Sequence, residues 1–108
     1  MDQTTVLENV KGYIAYLQKN QLDVRAVYLF GSFAKGLANE NSDIDLAIVL
    51  RGMENSFLTQ VQLMKYRRDF DLRIEPHPFF ETDFTPSNPF ANEIISTGIA
   101  VAMCVART

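Results

Sequence analysis

Two aspartates separated by one isoleucine, Asp43-Ile44-Asp45, open an apolar run that ends at Leu50. On an extended strand alternate side chains share a face, so both carboxylates point one way while Ile44 and Leu46 point the other. At a rise of ~3.3 Å per residue their Cα atoms stand about 6.5 Å apart, close enough for the carboxylates to converge on one or two hard cations. Mg²⁺ suits that donor set, because it takes oxygen ligands, commonly one or two carboxylates together with substrate phosphates. A pair of such ions would stabilise both the attacking and the leaving oxygen of an in-line displacement.

Ten residues separate this pair from Gly31-Ser32, which follows the run Val24 to Phe30. A glycine at a strand end lets the backbone approach an anion with no Cβ in the way. The turn after it offers free N–H groups and the Ser32 hydroxyl to phosphate oxygens, and Lys35 adds positive charge nearby. A P-loop is excluded. Gly31 and Gly36 have its glycine spacing with Lys35 between them, but the Lys-Ser/Thr pair it requires is replaced by Leu37-Ala38.

Elements that could hold these residues follow from periodicity. Val6, Leu7, Val10, Tyr13, Ile14 and Leu17 recur at helical steps over residues 5–19. Thr4 or Thr5 is the expected cap, and Glu8 would complete a capping box with Thr5. Val24 to Phe30 reads as a strand, residues 32–38 as a short helical turn limited by Gly36, and Asn39 to Ser42 as a polar turn. A second strand runs from Asp43 to Leu50, closed by Arg51-Gly52. A second long helix is expected over residues 57–68. Phe70 to Glu75 reads as a third strand, its alternation burying Leu72 and Ile74 and turning Asp71, Arg73 and Glu75 to the other face. Pro76 and Pro78 are expected to end it. Residues 80–89 are irregular, Phe90 to Thr97 is a short helix stopped by Gly98, and Ile99 to Val105 continues it or forms an edge strand. Helices on one face of a small sheet would give two layers, an α/β (α+β) chain.

The totals bound the function. The 108 residues, 47% hydrophobic and 21% charged, fit one domain over 1–108. No apolar run approaches the ~20 residues of a membrane span, and Met1-Asp2-Gln3-Thr4 lacks the basic start and apolar core of a secretion signal. We expect a cytoplasmic protein. The formal charge of −3 gives little general attraction for a polyanion, so direct nucleic-acid binding is not expected. Cys104, the sole cysteine, allows no intramolecular disulfide or thiolate metal cluster and reads as a small buried hydrophobe.

Other residues carry alternatives. His77, the only histidine, stands between two prolines; one ring is a poor Zn²⁺ site, so a structural or surface role is weighed against contact with an acceptor or action as a base. Lys65-Tyr66-Arg67-Arg68 at a helix end is a solvated cationic turn or a docking site for an acidic partner or RNA. Phe79, Phe80, Phe84 and Phe90 are core cover, with some left for a partner surface.

Gly31-Ser32, ten residues, then Asp43-Ile44-Asp45 resembles the signature of the DNA polymerase β-like nucleotidyltransferase superfamily. Gly31-Ser32-Phe33-Ala34-Lys35-Gly36 with Ser42-Asp43-Ile44-Asp45 is most similar to its minimal prokaryotic branch. The resemblance implies a mixed sheet flanked by helices and transfer of a nucleoside monophosphate from an NTP to a hydroxyl, with release of pyrophosphate. It implies Asp43 and Asp45 as Mg²⁺ ligands, two ions, and Gly31, Ser32 and Lys35 as the seat of ATP or another NTP. It also implies a third acid from a neighbouring strand. Glu75 is preferred, since Arg73 to Pro78 resembles a segment of some small members, with Asp71 as the alternative. Small members are often antitoxins that adenylylate a helical toxin partner, so the leading expectation is a protein adenylyltransferase. The rivals are a module that neutralises a partner by docking alone, and modification of a small-molecule hydroxyl.

Overall fold

The computed structural model describes residues 3–39, 41–52 and 55–103. Helix α1 (Gln3–Lys19) leads into strands β1 (Val24–Phe30) and β2 (Ile44–Leu50). Helix α2 (Ser56–Tyr66) and a 3₁₀ turn (Arg67–Asp69) follow, then β3 (Ile74–Phe80), α3 (Pro89–Thr97) and β4 (Ile99–Met103). The four strands form one sheet in the order β3-β2-β1-β4. β1 runs antiparallel to both β2 and β4, while β3 runs parallel to β2, so the sheet is mixed. No helix among the described residues is long and apolar enough to cross a membrane.

The helical stripe of α1 behaves as its spacing predicts: Val6, Val10, Tyr13, Ile14 and Leu17 are all buried. They pack on the sheet face formed by Val27, Leu29, Ile44, Leu46, Ile48 and Leu50, with Leu63 of α2 and Ile74 of β3 closing the same core. Each such side chain is worth roughly 1.5–3 kcal/mol relative to exposure. The helix already contains Thr4 and Thr5, so neither is its cap. Its far end turns at Gln21, which takes a left-handed φ of 68°. Asn55 caps α2 by accepting from the Leu58 N–H, and Asn88 caps α3 ahead of Pro89.

The opposite sheet face carries Tyr28, Phe30, Ala47, Val49, His77 and Phe79, and aromatic rings cover it. Phe84 lies 5.3 Å from Tyr28 and 5.1 Å from Phe79; Phe90 of α3 lies 5.8 Å from Phe30 and 5.6 Å from Phe79, centroid to centroid. That cluster buries Ala47 and Val49 but leaves Asp45, at the start of β2, half-exposed.

The third strand corrects the expectation that Pro76 and Pro78 end it. They lie inside β3, which starts at Ile74, four residues later than the expected start at Phe70. β3 is an edge strand, and the carbonyls of Ile74 and Pro76 are taken by the Arg67 guanidinium at 2.6 Å and the Gln60 amide at 2.7 Å. Even-numbered positions therefore face the outer edge, where a proline's missing N–H breaks no ladder bond. Leu72, expected inside, falls in the turn before β3 and is 66% exposed. Ile99–Met103 is the edge strand of the two expected alternatives, and Cys104 lies outside the described residues.

Candidate active site

β1 ends at Phe30, whose register partner on β2 is Asp45. Gly31 follows with φ +75°, a left-handed conformation that glycine adopts at no steric cost. A Cβ built there would collide with the Asp45 carboxylate. The turn that closes one strand thus lies against an acid presented by the next. After Gly31 the backbone winds into a tight turn, the Lys35 N–H reaching the Gly31 carbonyl at 3.2 Å and the Leu37 N–H the Ser32 carbonyl at 2.9 Å. Gly36, at φ +72°, completes it. Phe33, 7% exposed, pins the turn to the core, and the Arg73 guanidinium sits 5.9 Å above its ring. Ser32 is half-buried and Lys35 exposed.

A second turn sets the start of β2. The Asn39 N–H donates to Ser42 Oγ at 2.9 Å, and the Asn41 N–H donates to Asn39 Oδ1 at 2.8 Å. The Ile44 N–H then joins β3 through the Arg73 carbonyl at 2.8 Å. Asp43 is exposed one residue before the strand, at the position that shares Asp45's parity.

β3 brings a further acid to the same side of the sheet. Glu75 is the register partner of Asp45, and His77 that of Ala47, so the two lie on Asp45's side of the sheet. His77 Nε2 stands 3.3 Å from Asp45 Oδ1, its ring 5.2 Å from that of Phe30. Arg67 Nη1 lies 4.0 Å from Glu75 Oε2.

Asp71, the other acid considered, is placed elsewhere. Its carboxylate takes the Arg73 guanidinium at 2.6 and 2.9 Å, the Arg73 N–H at 3.0 Å and the Asn9 amide of α1 at 3.1 Å. The side chain is 8% exposed. The Arg73 hydrogen bond above all, opposed by burial, holds its pKa below the ordinary carboxylate value. The residue spends its lone pairs on bracing the arginine over Phe33.

The donors at the strand ends are oxygens on half-exposed carboxylates, the chemistry Mg²⁺ prefers. Among the described residues no three His, Cys, Asp or Glu side chains are gathered tightly enough to enclose an ion by themselves. Two adjacent carboxylates suffice where substrate phosphates complete the shell, so the residues fit.

The contact of His77 with Asp45 is not among the roles expected for this histidine. Its signal was present: His77 lies two residues past Glu75, hence on the same face, once the strand is carried through the prolines.

Comparisons with known proteins give the family and the fold. The family model described as "Polymerase beta, Nucleotidyltransferase" matches residues 11–103. A protein of Methanocaldococcus jannaschii named "Putative protein adenylyltransferase" is 29% identical over 105 residues, covering 94% of this chain and all of that one. Among solved structures, a nucleotidyltransferase described as putative, from Sulfolobus solfataricus, superposes with a TM-score of 0.57 at 19% identity, over 91% of this chain and 77% of that one. A toxin–antitoxin structure with AMP-PNP gives 0.62 at 16% identity, over 95% and 74%. The fold is shared with both. The chain belongs to the polymerase beta nucleotidyltransferase family of transferases.

Proposed function

We propose that this chain, as one domain in the cytoplasm, transfers AMP from ATP to a hydroxyl on a partner protein. The observation that carries the reading is the close approach of Gly31 to the Asp45 carboxylate, with Glu75 beside it on the neighbouring strand. Support for a protein acceptor comes from the name of the Methanocaldococcus relative. Support for an ATP-type nucleotide and a toxin-like, helical partner comes from the family resemblance and from the toxin–antitoxin neighbour with AMP-PNP.

In this reading the turn from Gly31 to Lys35 seats the triphosphate, with backbone N–H groups, the Ser32 hydroxyl and the Lys35 ammonium on its oxygens. Asp43, Asp45 and Glu75 would hold one or two Mg²⁺ ions, which supply charge neutralisation at the phosphates. The acceptor oxygen forms a bond to the α-phosphorus as the bond to the β-phosphate bridge oxygen breaks, and pyrophosphate leaves. A carboxylate of the acidic face takes the hydroxyl proton. His77 holds the Asp45 carboxylate in place. Catalysis is then positioning and electrostatics, with no covalent protein intermediate.

A second reading, partner neutralisation by docking alone, draws on the open spacing of the acids. One assay separates the two. With ATP labelled on the α-phosphate, Mg²⁺ and a co-purified partner, the label should move to the partner. Asp45→Asn should lower that rate on the order of 10²–10³-fold, with stability unchanged within ~0.5 kcal/mol. Partner binding that persists with no transfer by the wild-type protein would establish the docking reading instead.

A further inference from the structure

α2 shows the sheet one face and the surroundings another. Thr59 and Leu63 are buried, and Tyr66 packs partly against the core. Phe57 is 72% exposed and Val61 36%, and Gln60 and Met64 lie at helical steps on the same side, leading to exposed Arg68. Two cavities follow this stripe and share Gln60. One, about 580 Å³, lies between Phe57, Phe79 and Phe90 and is bounded by His77. The other, about 320 Å³, is lined by Val61, Met64 and Leu72 together with Lys65, Arg67 and Arg68. The stripe therefore begins at the histidine that touches Asp45 and ends in a cationic rim, on a chain whose formal charge is −3. From Phe57 to Arg68 it spans about 16 Å at ~1.5 Å per residue, the length of three helical turns.

Neither end suits a nucleic acid. No lysine or arginine lines the cavity beside His77, and Val61, Met64 and Leu72 stand among the cations that line the other. The pattern is complementary to an amphipathic protein segment with an apolar stripe, acidic residues toward one end and a neutral end at His77.

We infer that this groove along α2 is the acceptor-docking surface, and that it takes an amphipathic, acidic-ended segment of the partner, with the hydroxyl delivered at the His77 end. The inference rests on the transferase reading for the hydroxyl's fate, but docking itself is independent of transfer. Arg67 holds the Ile74 carbonyl and approaches Glu75 from the same rim, so the docking surface and the acidic face share one side chain.

The test uses synthetic 14-residue helical peptides with leucine at three- and four-residue steps and Ser, Thr and Tyr at the neutral end. One version carries glutamates at the far end, another lysines. In NMR titrations of the whole chain without nucleotide, the glutamate peptide should shift amide signals of residues 57–68, His77 and Phe79, and the lysine peptide should bind at least tenfold more weakly. Val61→Asp and Arg68→Glu should each weaken the glutamate peptide at least fivefold while leaving the calorimetric affinity for ATP-Mg²⁺ unchanged. With labelled ATP the glutamate peptide should be the better acceptor by the same ratio. Equal binding of the two peptides, shifts elsewhere, or variants that bind as wild type would overturn the docking assignment. No ATP heat and no label, with peptide shifts intact, would instead overturn the transferase reading and leave the groove standing.

Discussion

Asp71 and Glu75 lie four residues apart in one short segment, yet the fold gives them opposite tasks. Asp71 is 8% exposed and its oxygens are taken by Arg73 and Asn9; the Glu75 side chain is 36% exposed, beside Asp45, with Arg67 at 4.0 Å. A carboxylate saturated by protein donors has no lone pairs left for a cation or a phosphate-bearing ligand. One left half-exposed at a strand end keeps them. The difference teaches that an acid's partners, rather than its place in a motif, separate a brace from a candidate ligand. It also links the two regions, because Asp71 holds Arg73 over Phe33, and Phe33 anchors the turn that begins at Gly31.

Breaking the brace is expected to lower stability with a distinctive dependence on pH. Asp71→Ala leaves the Arg73 guanidinium without its bidentate partner and should cost about 2–3 kcal/mol, as expected for charge-assisted hydrogen bonds at a largely buried site. For a chain of this size that is a fall in Tm on the order of 10 °C. The sign of the pH dependence follows from linkage. The folded-state pKa of Asp71 is lowered, so its contribution is fully present above the ordinary carboxylate value of 3.8 and fades as pH falls through the lower folded value. Denaturant melts of wild type and variant should thus differ by a constant amount above about pH 5 and converge in more acid solution. A gap that persists unchanged to pH 2 would mean the brace acts through packing.

A smaller effect on stability, but a sharper one on function, is expected at Gly31. Alanine there pays for a left-handed backbone, roughly 1–2 kcal/mol, and its methyl group displaces the Asp45 carboxylate. That carboxylate is the mobile end of a side chain, so the fold absorbs the shift while the site does not. Gly31→Ala should therefore lose about tenfold or more in calorimetric affinity for ATP-Mg²⁺, equivalent to ~1.4 kcal/mol. Gly36→Ala separates the two contributions, since its φ is also left-handed but its Cβ would meet nothing within 4 Å. It should show the backbone cost without the tenfold loss. Equal losses at both glycines would mean that strain in the turn, and not contact with Asp45, governs binding.

A pair of unequal effects tests where sequence and structure part. Most of the fold was legible because α1, β1, β2 and α3 announce themselves locally: an apolar stripe at helical steps, a Val-, Tyr-, Leu- and Phe-rich strand that ends at a glycine, a short helix stopped by Gly98. The positions of Asp45 and Gly31 follow from strand parity and a turn glycine, which are local facts, whereas parity puts Asp71 and Glu75 on one face and only the family resemblance separates them. The segment 70–80 was misplaced, since its prolines read as stops and only the neighbouring chain reveals that β3 is an edge whose outward positions are served by Gln60 and Arg67. A strand from Phe70 to Glu75 puts Leu72 inside on parity with Ile74 and His77 past its end. Leu72→Ser and Ile74→Ser measure that displacement directly. Ile74 is fully buried and its loss should cost several kcal/mol, whereas Leu72, 66% exposed, should change stability by less than ~0.5 kcal/mol. Chemical denaturation of the two variants checks the register of β3, because a strand that began at Phe70 and buried both residues would give two comparable losses.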